Sequence, residues 1–314
     1  MVVEPLKHVP VLLNETIYGL NVKEDGIYVD CTLGGGGHAS EILKLLGDKG
    51  HLYCFDQDDY AIKRGEEALK EVGNPNFTII KSNFANIREE LKNYGITKID
   101  GVIYDLGVSS FQFDMGDRGF SYNKNAKLDM RMDKNQYLTA YEIVNYYSYD
   151  DLKRIFYEYG EERYSANIAK KICHMREKQP IETTIELADI VSSSLPARER
   201  RKVGHPAKQV FQALRIAVND ELNVLEKSLS SSLELLNRGG RCEVISFHSL
   251  EDRIVKQKFK EAVEVKIPKG LPIKDSDIVR RYRLITNKPI VASSSELLAN
   301  NRAHSAKLRI IEKI

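Results

Sequence analysis

Asp30-Cys31-Thr32-Leu33-Gly34-Gly35-Gly36-Gly37-His38-Ala39 is the stretch on which the fold turns. An apolar run, Ile27-Tyr28-Val29-Asp30-Cys31, leads into it, and a helical pattern from Ala39 to Leu46 follows. Glycines between a strand and a helix let the backbone pass close to a ligand and take torsions closed to other residues. The helix that follows leaves its first N–H groups without intrahelical partners. Downstream the alternation repeats. Residues 51–55 read as a second strand, with a helix over Tyr60 to Val72, residues 77–80 as a third strand and residues 101–104 as a fourth. This predicts parallel βαβ units in a Rossmann-like, doubly wound α/β sheet that binds ligands beyond the carboxyl ends of its strands.

From Met115 to about Gly204 the pattern changes. Apolar residues recur at helical spacing, as in Leu152, Ile155, Phe156 and Tyr159, and Pro180 and Pro196 divide the stretch. The expectation is an inserted helical domain over 115–204, with the sheet domain discontinuous over 1–114 and 205–314. A long helix from about Lys208 to Leu236, ended by Asn237-Arg238-Gly239-Gly240, then leads to a fifth strand at residues 242–247. Glycine after a helix is the usual stop signal. Residues 282–286 and 306–311 are two late strand candidates that close the sheet.

The bulk numbers exclude several classes. The 314 residues are 42% hydrophobic and 29% charged, as in ordinary globular chains. No apolar run is long enough for a membrane span, and the first residues do not read as a signal peptide. The four cysteines, Cys31, Cys54, Cys173 and Cys242, form no C-x-x-C pair, so neither a metal site nor a disulfide framework is expected. A reducing, cytoplasmic setting fits. The net charge of +2 is uninformative. Basic residues nevertheless cluster at Arg198, Arg200, Arg201 and Lys202, and again at Arg280, Arg281, Arg283 and Lys288. Such clusters neutralise phosphates or are simply solvated faces.

The loop alone leaves its ligand open. Gly34, Gly36 and Ala39 satisfy the dinucleotide fingerprint G-x-G-x-x-A, and Asp56 ends the second strand where a carboxylate can accept both hydroxyls of an adenosine ribose. Asp30 tilts the balance. A carboxylate just before the loop suits the amino group of a methionine moiety, which NAD does not have. S-adenosylmethionine is therefore the favoured ligand.

Several further motifs then follow in order: His8-Val9-Pro10-Val11-Leu12-Leu13, Asp105-Leu106-Gly107-Val108-Ser109-Ser110, Arg118-Gly119-Phe120-Ser121, Leu128-Asp129-Met130-Arg131-Met132-Asp133, Tyr159-Gly160-Glu161-Glu162-Arg163, Phe211-Gln212-Ala213-Leu214-Arg215-Ile216, Ile245-Ser246-Phe247-His248-Ser249-Leu250-Glu251-Asp252-Arg253 and Ser305-Ala306-Lys307-Leu308-Arg309. Over nearly its whole length the chain resembles the RsmH/MraW family of small-subunit rRNA cytosine-N4 methyltransferases. The resemblance implies a class I methyltransferase sheet with an inserted helical domain. It implies S-adenosyl-L-methionine as cofactor, and methylation of N4 of one decoding-centre cytosine in 16S rRNA, within or outside the assembled small subunit. A homodimer is compatible with it. By matching motif positions, the cofactor residues are Gly36, Gly37, His38, Asp56, Phe84, Asp105 and Gln112. Ala39, where many relatives have serine, and the proline missing from Asn300-Asn301-Arg302-Ala303-His304 both fall outside that set.

The acceptor nitrogen is a poor nucleophile, because its lone pair is delocalised into the ring. It improves when an acceptor binds one of its hydrogens. Asp105, at the end of strand four, is the catalytic candidate for that task, or else only a cofactor contact. On the neighbouring strand end, Phe247 is placed to stack on an extruded base, and His248 to meet a phosphate or base edge. The bland alternatives are a core phenylalanine and a loop-bonded histidine. Arg198, Arg200 and Arg201 are the candidate RNA contacts of the insert. Arg118, Arg131, Arg163 and Arg215 either bind phosphate or pair with nearby acids. The D/N-P-P-Y/F motif common in DNA amino-methyltransferases is absent at Asp105-Leu106-Gly107-Val108.

Overall fold

The computed structural model describes residues 10–107, 116–201, 204–265 and 279–314. It divides into two compact units, Met1–Gly107 with Leu222–Ile314, and Val108–Glu221. In the first unit the alternating pattern forms a sheet of seven strands: β1 Ile27–Asp30, β2 His51–Asp56, β3 Phe77–Lys81, β4 Ile99–Asp105, β5 Leu236–Ser246, β6 Tyr282–Leu284 and β7 Lys307–Lys313. Their order is β3-β2-β1-β4-β5-β7-β6. The first five are parallel, and β7 runs antiparallel to both β5 and β6. This is the class I methyltransferase sheet. The strand order reverses between β1 and β4, so the ligand crevice lies beyond their carboxyl ends.

Both faces of the sheet are covered, which is why its central strands are almost continuously apolar. Successive side chains point to opposite faces. Tyr28, Leu52, Cys54 and Ile103 pack with Ala39, Ile42, Leu43 and Leu69 on one side. Val29, Phe55, Val102, Tyr104 and Val244 pack with Leu225, Leu229, Val255 and Phe259 on the other. The cysteines are free thiols; Cys31, Cys54 and Cys242 are buried and Cys173 is half-buried. The helices Leu13–Leu20, Ile87–Asn93, Ser249–Val263 and Ser294–Ala299 complete this unit beyond what the periodicity predicts. Among the described residues no helix is long and apolar enough to cross a membrane.

The second unit is helical. Capping boxes, Thr139 with Glu142 and Thr183 with Glu186, start the helices Ala140–Tyr146 and Thr184–Ser194. Its core joins Leu152, Ile155 and Phe156 to Ile168, Leu187, Val191, Phe211 and Leu214. The predicted long helix is corrected here. It breaks into Lys208–Asn219 and Glu221–Leu235, because Asp220 takes a left-handed conformation with φ 50°. Aspartate is one of the few residues that tolerates it. The helix Lys208–Asn219 buries Val210, Phe211 and Leu214 in the insert's core, so this unit runs to Glu221 rather than ending near 204. Asn237–Gly240 does not cap a helix; it lies inside β5, where the pairing with β4 shifts register between Ile99 and Gly101.

Candidate active site

Three parallel strands deliver three carboxylates to one end of the sheet: Asp30 from β1, Asp56 from β2 and Asp105 from β4. The glycine loop sits among them. Gly36 has φ 79°, and a Cβ there would press within 3.2 Å of the Gly65 backbone and of the Ala68 side chain. A Cβ on Gly37 would run into the ring of Pro10. The loop is therefore packed tightly from behind, and the helix Gly37–Lys44 begins directly from it.

Asp30 is buried, and its Oδ1 accepts from the Thr32 amide at 2.9 Å. Thr32 Oγ1 in turn accepts from the Asp105 amide at 2.7 Å, which ties the ends of β1 and β4 together. Asp56 accepts from the Gly34 amide at 2.9 Å and from the Asp58 amide at 2.9 Å. One carboxylate thus holds the loop and starts the next helix. Asp105 differs: its Oδ1 is buried and has no hydrogen-bond partner among the described residues. Desolvation pushes Asp30 and Asp56 up to about 6, against the amides that favour the ionised forms. Asp105 is pushed up to about 7 by desolvation, helped by the negative charge of Glu251. An end of the sheet that gathers poorly solvated carboxylates is suited to a cation.

His38 is buried with its Nε2 3.0 Å from the Val11 carbonyl and its Nδ1 3.6 Å from Asp105 Oδ2. A carbonyl only accepts, so Nε2 carries the hydrogen and Nδ1 of the neutral ring presents a lone pair to Asp105. Burial lowers the His38 pKa. At 3.6 Å the ring and the carboxylate are neighbours beyond hydrogen-bond reach. His38 faces the protein with its ring, which leaves its backbone N–H, in the first turn of the helix, as the group open to a cofactor. Sequence reading missed the buttress formed by Pro10 and Val11, because nothing in the motif His8-Val9-Pro10-Val11 signals that it packs under a loop nearly thirty residues away.

Phe84 begins a short 3-10 turn, half-buried, with its ring edge-on to Tyr104 at 5.5 Å between centroids. Gln112 lies outside the described residues. Phe247 follows β5 directly, half-buried against a cluster that contains Val11, Leu12 and Ile245. Its ring lies beside the Gly107 backbone, just past the end of β4. Phe247 thus packs as a partly buried core residue just past the end of β5. His248 takes the bland alternative. It is the N-cap of Ser249–Val263, with Nδ1 accepting from the Glu251 amide at 3.4 Å and Nε2 3.1 Å from Glu251 Oε1. Despite that proximity, Nε2 is buried and makes no hydrogen bond among the described residues.

In the helical unit, Arg198, Arg200 and Arg201 are exposed on and just after the short helix Ala197–Arg200, and Lys202 lies outside the described residues. The motif arginines mostly serve structure. Arg131 makes a fork on Asp129 at 2.7 and 2.9 Å, and Arg215 a fork on Glu221 at 2.8 and 2.8 Å. Although burial opposes it, Arg131 holds the Asp129 carboxyl below its usual range. Buried Arg118 donates to the carbonyls of Arg131 and Met132. Arg163 alone of the four is exposed.

The model of the MraW methylase family matches residues 5–314. Among solved structures, an rRNA methylase from Streptococcus thermophilus is 12% identical, with 100% of this chain and 99% of that one covered and a TM-score of 0.43. An S-adenosylmethionine-dependent O-methyltransferase from Thermotoga maritima is 10% identical, with 98% and 68% covered and a TM-score of 0.43.

Proposed function

The chain belongs to the MraW methylase family, S-adenosylmethionine-dependent rRNA methyltransferases, and on that basis we propose that its acceptor is N4 of one decoding-centre cytosine of 16S rRNA, methylated in the cytoplasm. The observation that carries this reading is Asp105: a carboxylate at the switch point of the sheet with one buried oxygen lacking any partner among the described residues. The other carboxylates at this end are engaged by loop amides. S-adenosylmethionine supplies an already activated methyl group on a cationic sulfonium. The residues fit it: a loop where Gly36 and Gly37 have no room for a side chain, the Asp56 carboxylate at the ribose position, and a set of desolvated acids that a cation relieves. In this reading Gly36, Gly37 and the His38 amide line the methionine end, and Phe84 and Gln112 lie beside the adenine.

With the donor activated, the protein's task is mainly alignment. Asp105 accepts a hydrogen from N4 and draws its lone pair out of the ring, while the His38 ring keeps Asp105 in place. Phe247 offers a face for the base at the adjoining strand end. Arg198, Arg200 and Arg201 of the helical insert, 115–204 in the sequence reading, contact phosphates. Mass spectrometry of 16S rRNA from cells with and without the gene tests this. The expected result is loss of N4-methylation at one cytosine, restored by the gene. Identical methylation in both strains sinks the proposal.

A further inference from the structure

Tyr104 puts a hydroxyl into the core of the sheet unit, one position before Asp105 on β4. Its ring packs in the cluster of Val29, Phe55, Val102, Leu225 and Leu229. Its hydroxyl meets two serines of the helix Glu221–Leu235, Ser228 Oγ at 2.7 Å and Ser232 Oγ at 2.6 Å. The serines are four residues apart, on one face of that helix, and both are fully buried. Desolvation raises the Tyr104 pKa well above its ordinary value, so the hydroxyl keeps its hydrogen.

The direction of this run of hydrogen bonds is fixed. A serine in mid-helix often donates to a carbonyl of its own helix, as Ser230 does to Glu226 at 3.0 Å. Ser228 donates instead across to the Phe84 carbonyl, at 2.9 Å. A carbonyl only accepts, and a hydroxyl has one hydrogen to give. Ser228 Oγ therefore accepts from Tyr104, and Tyr104 accepts from Ser232. Each hydroxyl donates once, and the run ends on Phe84.

Phe84 is gripped from other sides too. Its ring stands edge-on to the Tyr104 ring, at 5.5 Å between centroids. Its carbonyl also takes the Ile87 amide that closes the 3-10 turn. Just before it, Asn83 Oδ1 accepts from the Ala85 amide at 2.9 Å, and Asn83 Nδ2 donates to Gln57 Oε1 at 3.2 Å. Gln57 directly follows Asp56. Buried hydroxyls bonded to one another add little net stability over apolar groups of the same shape. What a fully satisfied run supplies is one arrangement of the groups it joins. Here it fixes the place of Phe84.

We propose that Tyr104, Ser228 and Ser232 are positioning residues for the cofactor, whose hydroxyls set where Phe84 stands against the adenine of S-adenosylmethionine. The proposal rests on the reading of Phe84 as a neighbour of the adenine. The test is calorimetry of S-adenosylhomocysteine binding to the wild type, to Phe84→Ala, to Tyr104→Phe/Ser228→Ala/Ser232→Ala, and to the two combined. The triple variant keeps the ring and replaces hydroxyls on both sides of each pair, so it should melt close to the wild type. It should raise Kd roughly two- to tenfold. In the Phe84→Ala background the same three changes should add nothing, because they act through Phe84. A merely structural run of hydroxyls would give the same factor in both backgrounds. Ser228→Ala alone withdraws only the hydrogen given to Phe84, and should produce most of the loss. If Phe84→Ala binds weakly but the triple variant or Ser228→Ala binds like the wild type, the positioning role is overturned. Equal losses with and without the Phe84 ring overturn it as well. A wild-type Kd for Phe84→Ala overturns the adenine reading itself, and the proposal with it.

Discussion

At the scale of single residues, the carboxylates at the strand ends divide their work. Asp56 holds the Gly34 and Asp58 amides, and in our reading it also holds the donor ribose. Asp56→Ala should weaken S-adenosylmethionine binding by about 1.5–3 kcal/mol, the range for a hydrogen bond to a charged group. Calorimetry reads it, and unchanged affinity removes Asp56 from the site. Asp105 carries the acceptor chemistry in our reading. Its carboxyl titrates near 7, raised by desolvation, and is protonated below that value. A neutral carboxyl is a much weaker acceptor for the N4 hydrogen than the carboxylate. Single-turnover methyl transfer should therefore rise with pH through about 7 and level off above it. Asp105→Asn should abolish that pH step and slow transfer by roughly 10²-fold or more at saturating ligands. A normal rate in that variant would reduce Asp105 to a cofactor contact. Phe247→Ala is a poorer probe, because the ring also packs against Val11, Leu12 and Ile245.

At the scale of elements, the short helix Ala197–Arg200 presents exposed arginines and buries no residue of its own. Replacing Arg198, Arg200 and Arg201 with alanine should weaken RNA binding and flatten its salt dependence, by about 0.7–0.9 for each phosphate those arginines neutralise. Stability and cofactor affinity should stay unchanged, since none of the three is buried. A wild-type salt slope would show the cluster to be a solvated face. The contrast with Arg131 and Arg215 is physical. Those two are forked onto carboxylates, and removing either leaves an acid without its partner.

At the scale of the whole molecule, one buried group works against stability at neutral pH. Glu243 lies within β5, fully buried, with neither carboxylate oxygen hydrogen-bonded among the described residues. Desolvation raises its pKa well above the ordinary glutamate value, and the nearby Arg241 only partly opposes this. The folded protein thus keeps a proton that the unfolded chain releases above about 4.5. By linkage, this group's contribution is full at acid pH and declines as pH rises toward the folded pKa. Glu243→Gln should remove that decline. The variant should melt above the wild type at about pH 8, with the gap closing toward about pH 5. A constant gap across that range would refute the assignment.

Amino-acid order alone was enough for the architecture of the sheet unit. Short, nearly continuous apolar runs alternating with helical spacing leave little choice but parallel strands, and the glycine loop with Asp56 marked the ligand end. The motif order pointed to the family. Sequence could not place the break at Asp220, since helical periodicity continues through it and only packing of Val210, Phe211 and Leu214 in the insert core requires the chain to turn there. Nor could it show that His248 caps a helix, or that the His38 ring turns toward Val11 and Asp105, because side-chain direction depends on neighbours distant in the chain.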